Sequence, residues 1–441
     1  MNVLWLCNFM LPMVAERLGL EATNKEGWIS GLASVLLERQ KGNAIRLAVA
    51  FPVEQERDGY REELKLGEQG TVECFGFYED TAHPERYDVG LEARLQKILE
   101  AAKPDVIHCF GTEYPHTLAL CRAYSRKERI LIGIQGLCAV YADAYFANLP
   151  DRVIRSATLR DSLRKDTLQM QQEKFVQRGR MEIEAVRLAG NVTGRTHWDR
   201  HYTQEWNPQA EYYEMNETLR KDFYDEAWKE ENCVPHSIFL SQGDYPIKGL
   251  HYMLLALPDI LKRYPDTKVY VAGNSVVKTG TLKDRIKVSA YGKYLQELLQ
   301  RYALWDKVCF LGKLKSDEMK KQYLRSHLFV CCSTIENSPN SLGEAMLLGM
   351  PCVSALVGGI STIFQDGEDG IGYEGYDAGR PGEADSAEIA QRLSEAVLKM
   401  WDDELARKQY CEHARGHAKR THDREANYRK LLEIYTSIAE K

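Results

Sequence analysis

Short apolar runs alternate with amphipathic stretches along the first half of the chain. The runs are rich in β-branched and aromatic residues, which is typical of strands buried in a parallel sheet. The amphipathic stretches have a helical period, and this alternation predicts a doubly wound parallel sheet. The predicted strands are Val3–Cys7, Ile45–Phe51, Val72–Phe77, Val106–Phe110 and Ile130–Ile134. The predicted helices include Trp28–Arg39, Leu91–Ala102 and Thr117–Ser125.

The second half of the chain repeats this rhythm. We therefore expect an α/β fold with two Rossmann-like doubly wound parallel-sheet domains, which face each other across a ligand-binding cleft. The predicted strands are Ile238–Ser241, Val269–Ala272, Val308–Leu311, Leu328–Cys332 and Cys352–Ala355. The predicted helices are Leu250–Tyr264, Tyr291–Tyr302, Ser316–Arg325, Leu342–Leu348 and Ser386–Trp401.

The predicted domain boundaries follow from these patterns. An N-terminal Rossmann-like domain covers residues 1–205, and a C-terminal one covers residues 206–420. Residues 421–441 form a helix that we expect to pack back on the N-terminal domain. One face of this helix is apolar, and it carries Tyr428, Leu431, Leu432, Tyr435 and Ile438.

An Arg-rich helical segment is predicted over residues 151–188. Its first part, residues 151–180, has eight Lys or Arg residues against four Asp or Glu residues. Two interpretations stay open at this point: a solvated helical face, or a basic patch that faces anionic lipid or an acceptor phosphate.

Charge and composition exclude some classes of function. The chain of 441 residues has 58 Lys and Arg against 64 Asp and Glu, a net charge of −6, which argues against a nucleic-acid binder. The eleven cysteines form no C-x-x-C pair, so we expect buried free thiols. We find no signal peptide and no apolar run long enough to span a bilayer. We therefore expect a cytoplasmic protein, with peripheral contact at the inner membrane face as an option.

The chemically richest segment runs from Ser333 to Met346. It follows a predicted strand and opens a helix, which is the local arrangement of an anion site at the carboxyl edge of a parallel sheet. Two carboxylates, Glu336 and Glu344, stand seven residues apart in it. Glu336 can reach sugar hydroxyls, and Glu344, expected in the first helical turn, can hold a ribose diol. Ser341 and Glu344 also fit a capping box, so capping and ligand contact stay open for Glu344.

Three further loops carry candidate residues. Gly358 and Gly359 follow the next strand, where glycines let the backbone approach a ligand closely. The loop that begins at Gly243 leads to Lys248, whose charge can neutralise a diphosphate leaving group. In the first half, Gly27 precedes a helix after the first strand, without the G-x-G-x-x-G spacing of a dinucleotide site.

Together these residues resemble the family 4 glycosyltransferases, which are retaining enzymes with two facing Rossmann-like domains (the GT-B fold). The family's mark is a Glu, seven residues and a second Glu, matched here by Glu336 and Glu344. The resemblance covers roughly residues 237–420 and is weaker in the first half. The stretch 215–224 is similar to members that build bacterial surface polysaccharides. Other matching pieces are Phe310-Leu-Gly312, Glu344-Ala-Met, Gly349-Met-Pro351, Gly358-Gly359 and Pro104-Asp-Val-Ile-His108.

The resemblance implies a role for each candidate residue. Glu336 and Lys248 would be catalytic, with Glu336 on the donor sugar and Lys248 on the diphosphate. Glu344 would hold the nucleotide ribose. The donor, a UDP- or GDP-linked sugar, would be a co-substrate, and no metal or other cofactor is implied. The remaining donor-binding residues would be Asn340, Ser341, Leu342, Gly358, Gly359 and Gly243, and the acceptor or phosphate loop would include Gly27 and Gln135.

Two positions depart from the family pattern. Gly243 stands where the family often has an Arg, five residues before the phosphate Lys. Gln135 stands where the family often has a His, and an amide can bond a sugar hydroxyl but cannot carry a proton. These departures affect donor-phosphate binding and point to an unusual donor or a weak enzyme.

The function expected from the sequence is therefore transfer of a sugar, with retention, from the nucleotide donor to an acceptor. The acceptor would be a glycan, a lipid-linked molecule or a small molecule, in bacterial surface polysaccharide synthesis. Three alternatives stay open: a nucleotide-sugar epimerase of similar fold, a non-catalytic nucleotide-sugar-binding protein, and a Rossmann oxidoreductase. The missing dinucleotide fingerprint speaks against the last.

Overall fold

Two compact units make up the chain in the computed structural model. The structure describes residues 1–20, 27–39, 45–66, 70–277, 280, 286–376 and 383–441. The first unit comprises Met1–Val140, Lys174–Arg220 and Thr421–Lys441, and the second comprises Tyr141–Glu173 and Lys221–Arg420. The face-to-face arrangement expected for the two domains stays a prediction.

The first unit is built on an eight-stranded sheet with the order β3-β4-β2-β1-β5-β6-β7-β8. All neighbouring strands are parallel except β3 and β4. Without its two edge strands, the order is that of a doubly wound Rossmann sheet. The strands are β1 (Asn2–Cys7), β2 (Arg46–Val53), β3 (Arg61–Leu66), β4 (Gly70–Tyr78), β5 (Val106–Phe110), β6 (Ile130–Gly133), β7 (Asn191–Gly194) and β8 (Glu211–Glu214).

The second unit has a six-stranded, fully parallel sheet with the order β11-β10-β9-β12-β13-β14. This order is again the doubly wound one, so the predicted fold class of two Rossmann-like sheets is confirmed. The strands are β9 (Val234–Leu240), β10 (Lys268–Ala272), β11 (Val308–Gly312), β12 (Ser326–Cys331), β13 (Cys352–Ala355) and β14 (Ile371–Tyr373).

Helices connect the strands in both units. Those within the described residues before β9 are Pro12–Arg17, Gly27–Glu38, Gly90–Ala102, Pro115–Ala123, Cys138–Asp143, Asp151–Ile154, Leu159–Arg164, Leu168–Leu188 and His197–Trp206. Those after β9 are Leu250–Arg263, Ala290–Arg301, Ser316–Arg325, Asn340–Leu348, Ile360–Ile363, Glu383–Asp402, Glu404–Thr421 and Arg424–Ala439. None of them is long and apolar enough to cross a bilayer.

All ten predicted strands are confirmed, and four strands were not predicted. The additional strands are β3, β7, β8 and β14. They are short or carry many charges, and β3, β8 and β14 lie at sheet edges. A strand at an edge has only one neighbour, so its sequence shows the hydrophobic pattern of a buried strand less clearly.

The C-terminal helix Arg424–Ala439 belongs to the first unit. Its predicted apolar face lies in the core against β1 and β5, with Tyr428, Leu431, Tyr435 and Ile438 buried. The indole Nε1–H of Trp5 donates to the Tyr435 hydroxyl at 2.9 Å. This bond ties the last helix to the first strand.

Residues 141–173 belong to the second unit, although the whole segment 151–188 was predicted in the first domain. Buried hydrogen bonds hold residues 141–173 in the second unit. The Ala147 carbonyl accepts from His251 at 2.8 Å and from the Tyr252 hydroxyl at 2.9 Å. The Asp161 carboxylate accepts from the Ala290 amide at 2.8 Å. Such long-range polar contacts leave no local signal in a sequence.

A buried carboxyl lies behind the carboxyl edge of the first sheet. Glu182 accepts the Thr112 hydroxyl and the Ala139 amide, the latter at 2.9 Å, and so caps the helix Cys138–Asp143. Burial raises the pKa of Glu182 to about 8. The folded protein therefore keeps a proton here that the unfolded chain, with an ordinary Glu pKa, has released.

This difference predicts a pH-dependent stability. The contribution is fully present below the unfolded pKa and declines as pH rises towards about 8, where Glu182 ionises. We expect Glu182→Gln to flatten the fall in the free energy of unfolding between about pH 5 and pH 8 by ~1–4 kcal/mol. Urea unfolding across this range measures the fall. Glu184→Gln is the matched control, because this exposed carboxylate lies on the same helix. Equal pH slopes in the wild type and Glu182→Gln would contradict the expectation.

Candidate functional site

Three loops of the second unit follow neighbouring strands at the carboxyl edge of its sheet. They come after β9, β12 and β13, which lie side by side in the order β9-β12-β13. The first loop holds Lys248, the second holds Glu336, and the third holds Gly358 and Gly359. Ligands of open α/β sheets bind outside this edge.

Lys248 and Glu336 form an ion pair with Nζ and Oε1 at 2.5 Å. The same Oε1 accepts the Ser333 hydroxyl at 2.7 Å. Both charged side chains are largely buried, with 18% of Lys248 and 9% of Glu336 exposed. Burial alone would lower the pKa of Lys248, but the Glu336 carboxylate and the Tyr245 hydroxyl outweigh it and hold the pKa well above its usual value. The ammonium is therefore charged at any physiological pH.

Backbone contacts lock the first two loops together. The Thr334 amide donates to the Ile247 carbonyl at 2.7 Å. Gly249 has a φ of +69°, and a Cβ on it would overlap the Cys332 carbonyl oxygen. Only glycine fits this approach, because the left-handed φ and the lack of space exclude a side chain. The sequence alone does not predict a site role for Gly249, Cys332 or Ser333, because their contacts join loops that follow separate strands.

The paired glycines of the third loop contact the backbone of the second. The Gly359 amide donates to the Glu336 carbonyl at 2.9 Å. Gly358 has a φ of +54°, and a Cβ on it would overlap the same carbonyl oxygen. The backbone that these glycines approach closely in the structure is that of Glu336. Their role in donor binding stays a prediction.

The helix Asn340–Leu348 starts directly after the Glu336 loop, and its N-cap is Pro339. Ser341 is thus the second helical residue and Glu344 the fifth, so the alternative of a capping box is wrong. Proline starts the helix two residues earlier than that alternative requires, and it offers no side-chain acceptor. Glu344 lies beyond the first turn, buried at 4% exposure, which corrects its expected position.

The amino end of this helix offers backbone amides. Those of Leu342 and Gly343 donate to the Pro339 carbonyl at 3.0 and 3.3 Å. The amides of Asn340 and Ser341 precede these two bonds, at the positive end of the helix dipole. The Leu342 side chain is fully buried, so only the backbone of this residue can serve a ligand.

Gly243 is buried between two core side chains. A Cβ on it would lie 2.9 Å from both Leu250 Cδ2 and Val271 Cγ1. An Arg at this place would require the packing to move. The departure from the family pattern therefore has a structural basis, and Lys248 is the cation that this loop carries.

Two predicted site residues belong to the first unit. Gly27 is the first residue of the helix Gly27–Glu38, and the loop before it, residues 21–26, lies outside the described residues. Gln135 follows β6 and lines a small cavity of the first unit. The Nη2 of Arg195 lies 3.4 Å from the Gln135 carbonyl oxygen, within hydrogen-bond distance.

The Arg-rich segment has fewer free cations than its sequence indicates. Arg152 pairs with Glu297 at 2.8 Å, and Arg155 pairs with Asp151 at 3.3 Å. Arg160 lies between Asp161 and Asp166. The partner of Arg152 lies outside the segment, whereas Arg155 and Arg160 pair with carboxylates already counted within it. Membrane contact stays a prediction.

The second unit matches a known protein family. Residues 225–416 match the family described as Glycosyl transferases group 1. The match includes Lys248, Glu336, Glu344 and both glycine loops.

Curated relatives match over short stretches. An uncharacterized glycosyltransferase of Methanocaldococcus jannaschii is 32% identical over 124 residues, 28% of each chain. The D-inositol 3-phosphate glycosyltransferase of Corynebacterium urealyticum is 25% identical over 194 residues, 44% of this chain and 41% of that one. The matches span only 22% to 42% of the length of such relatives.

Solved structures match over almost the whole chain at low identity. The sucrose-phosphate synthase of Thermosynechococcus elongatus has a TM-score of 0.69 and 13% identity, with 99% of both chains covered. HepE of Anabaena in complex with UDP-glucose has a TM-score of 0.63 and 14% identity, with 99% of this chain and 100% of that chain covered. These GT-B glycosyltransferases share the fold of this chain.

The contact at Gly249 predicts a large cost of substitution. We expect Gly249→Ala to destabilise the protein by at least ~3 kcal/mol, because backbone strain and overlap with Cys332 add. Gly312→Ala is the matched control, since Gly312 has a φ of +76° and no described atom within 4 Å of the added Cβ. It should cost only ~1–2 kcal/mol. Urea unfolding compares the two variants, and equal losses would show that the loop contact adds nothing.

Proposed function

We propose that this protein is a glycosyltransferase that moves a sugar from a nucleoside diphosphate to an acceptor with retention of configuration. The observation that carries the proposal is the buried Lys248–Glu336 pair beside the amino end of the helix Asn340–Leu348. It places a permanent cation, a carboxylate and outward backbone amides at the carboxyl edge of one Rossmann sheet. The group 1 family match of residues 225–416 supports the same conclusion.

Each part of the site has a role in this proposal. The diphosphate binds against Lys248 and the amides of Asn340 and Ser341, which stabilise the negative charge that grows on the leaving oxygen. Glu336 orients Lys248 and positions the donor sugar through its hydroxyls. Glu344 holds the nucleotide ribose. The leaving oxygen takes the acceptor's proton on the same face of the sugar, so the bond to the acceptor forms with retention.

The donor can be proposed more specifically than the acceptor. UDP is the first nucleotide to test, because HepE of Anabaena, which has a similar fold, was solved with UDP-glucose. The acceptor is proposed to be a glycan, a lipid-linked molecule or a small molecule of bacterial surface polysaccharide synthesis, in the cytoplasm. That part rests on the resemblance of residues 215–224 alone.

Nucleotide binding is the first prediction of this proposal. We expect one of UDP and GDP to raise the melting temperature, and NAD to leave it unchanged, since a ligand that binds only the folded state stabilises it by an amount that grows with the logarithm of its concentration relative to Kd. Glu344→Gln, which keeps the size of the buried side chain, should weaken the binding of that nucleotide about tenfold or more. A nucleotide response that persists unchanged in Glu344→Gln would remove Glu344 from the site.

Loss of the cation is the second prediction. We expect Lys248→Ala to lower kcat about 10²- to 10³-fold, the size of effect seen when one preorganised charge-stabilising group is removed. Lys320→Ala is the matched control, because Lys320 also pairs with a carboxylate, Glu226, but lies outside the site. Transfer is measured with sugar donors that carry the nucleotide found to raise the melting temperature. The assay is run with and without EDTA to test metal independence.

Three outcomes of these experiments would contradict the proposal. An inverted anomeric configuration, read by NMR of the product, would exclude retention. Turnover of the nucleotide sugar without any acceptor would favour an epimerase. Nucleotide binding with no turnover of any kind would favour a non-catalytic binding protein.

A further inference from the structure

Apolar side chains are exposed on the second unit around the short helix Leu159–Arg164, here called the leucine helix. Leu159 is 60% exposed and Leu163 is 74% exposed, and Met170, near the start of the next helix, is 44% exposed. Three of the nine large apolar side chains that are exposed in the described part of the chain therefore lie in this short stretch. Single exposed leucines are normal, whereas a cluster marks a surface that contacts something apolar.

The opposite face of the leucine helix is fixed to the second unit. Asp161 is buried and accepts the Ala290 amide at 2.8 Å, and Arg160 pairs with the same carboxylate at 2.9 Å. Leu159 and Leu163 are about one helical turn apart, so they share a face, and Asp161 between them points the other way. The polar anchor thus holds the backbone in place while both leucines remain in solvent.

Cations adjoin the exposed leucines. Arg164 and Lys165, at the end of the leucine helix, are exposed, and neither has an ion-pair or hydrogen-bond partner among the described residues. Arg155 pairs with Asp151 at 3.3 Å, but both side chains are exposed, and a surface pair of this kind contributes little. The Asp161 carboxylate is buried. The surface beside the leucines therefore has an excess of positive charge.

The leucine helix also adjoins the loop that leads to Lys248. Arg160 and Asp161 line one polar cavity together with Asp244 and Tyr245 of that loop. The helix and the loop belong to the same unit. A partner that binds the leucine helix is therefore held close to the candidate functional site.

The size and charge of this surface favour a membrane as its partner. A stable protein interface buries ~800 Å² on each partner, and three exposed side chains supply only a small part of that area. A bilayer needs no complementary shape. Its anionic headgroups attract Lys and Arg side chains, and the hydrocarbon beneath them accepts leucines. Exposed leucines flanked by unpaired cations match both layers.

We propose that the leucine helix docks the protein on an anionic membrane surface. Leu159 and Leu163 insert among the acyl chains, and Arg164 and Lys165 contact the headgroups. Docking needs no catalysis and so goes beyond the proposed function. Of the acceptor classes proposed above, it favours the lipid-linked one, and that consequence alone rests on the proposed function.

Cosedimentation of the full-length protein with lipid vesicles tests the proposal. The vesicles are phosphatidylcholine alone, or an equimolar mixture of phosphatidylcholine and phosphatidylglycerol, without nucleotide or acceptor. We expect binding to the mixed vesicles, and about tenfold weaker binding or none to phosphatidylcholine alone, because each cation near the surface adds attraction to anionic lipid. Added salt should weaken the binding.

One leucine variant tests the apolar contact. Leu163→Ser should weaken binding to the mixed vesicles about tenfold, since it removes a side chain that enters the hydrocarbon. Leu405→Ser is the matched control, because Leu405 is 71% exposed but follows three carboxylate residues, 402–404. It should leave vesicle binding unchanged. An unchanged melting temperature in both variants shows that the fold is kept.

A second pair of variants tests the charge. Arg164→Gln combined with Lys165→Gln should weaken binding to the mixed vesicles about tenfold. Lys419→Gln combined with Arg420→Gln is the matched control, since these are also adjacent exposed cations near the end of a helix. Lys248→Ala should bind vesicles like the wild type, so a failure of the transfer reaction and a failure of docking are distinguishable.

Four results would overturn the proposal. The first is no binding of the folded wild type to the mixed vesicles, and the second is equal binding to both kinds of vesicle. The third is an equal loss of binding in Leu163→Ser and Leu405→Ser. The fourth is a dimer in sedimentation velocity that Leu163→Ser abolishes, which would assign the leucine helix to a second copy of this chain.

Discussion

The site in the second unit depends on how closely the loops after β9 and β12 approach each other. The Gly249 position abuts the Cys332 carbonyl, and the Thr334 amide reaches the Ile247 carbonyl at 2.7 Å. We expect a side chain at 249 to push the two loops apart and so to disturb the 2.5 Å contact between Lys248 Nζ and Glu336 Oε1. The lack of a Cβ at this one residue thus supports the ion pair of the site.

Pairing also explains how the charges of Lys248 and Glu336 can both be buried. A buried charge without a partner is strongly unfavourable, whereas a pair with further hydrogen bonds is tolerated. Ser333 supplies such a bond to Glu336, and the backbone of Glu336 is fixed by Gly359. In the proposed reaction, the Lys248 ammonium is already oriented before the diphosphate binds, so little reorganisation is needed when negative charge develops on the leaving oxygen.

The sequence predicted the fold class and ten of the fourteen strands that the structure describes, because buried parallel strands and their helices have clear periodicity. It also singled out Glu336, Glu344 and Lys248. It did not predict that Lys248 and Glu336 pair, since a bond between residues 88 positions apart has no local signature. The capping alternative for Glu344 failed because Pro339 is the N-cap. Each later residue therefore lies two positions further into the helix than that alternative requires.

The same limit applies to Gly243 and Gln135, which the family pattern marks only as departures. In the structure, Gly243 fits between Leu250 and Val271, and Gln135 lines the cavity of the first unit. His108, in the middle of β5, links the wall of that cavity to the far end of the chain, because its Nδ1 lies 2.8 Å from the Tyr435 hydroxyl of the last helix. The Tyr435 oxygen also accepts from the Nε1–H of Trp5 in β1. One buried hydroxyl thus joins the first strand, β5 and the last helix, so its loss would leave polar atoms of Trp5 and His108 without this partner in the core.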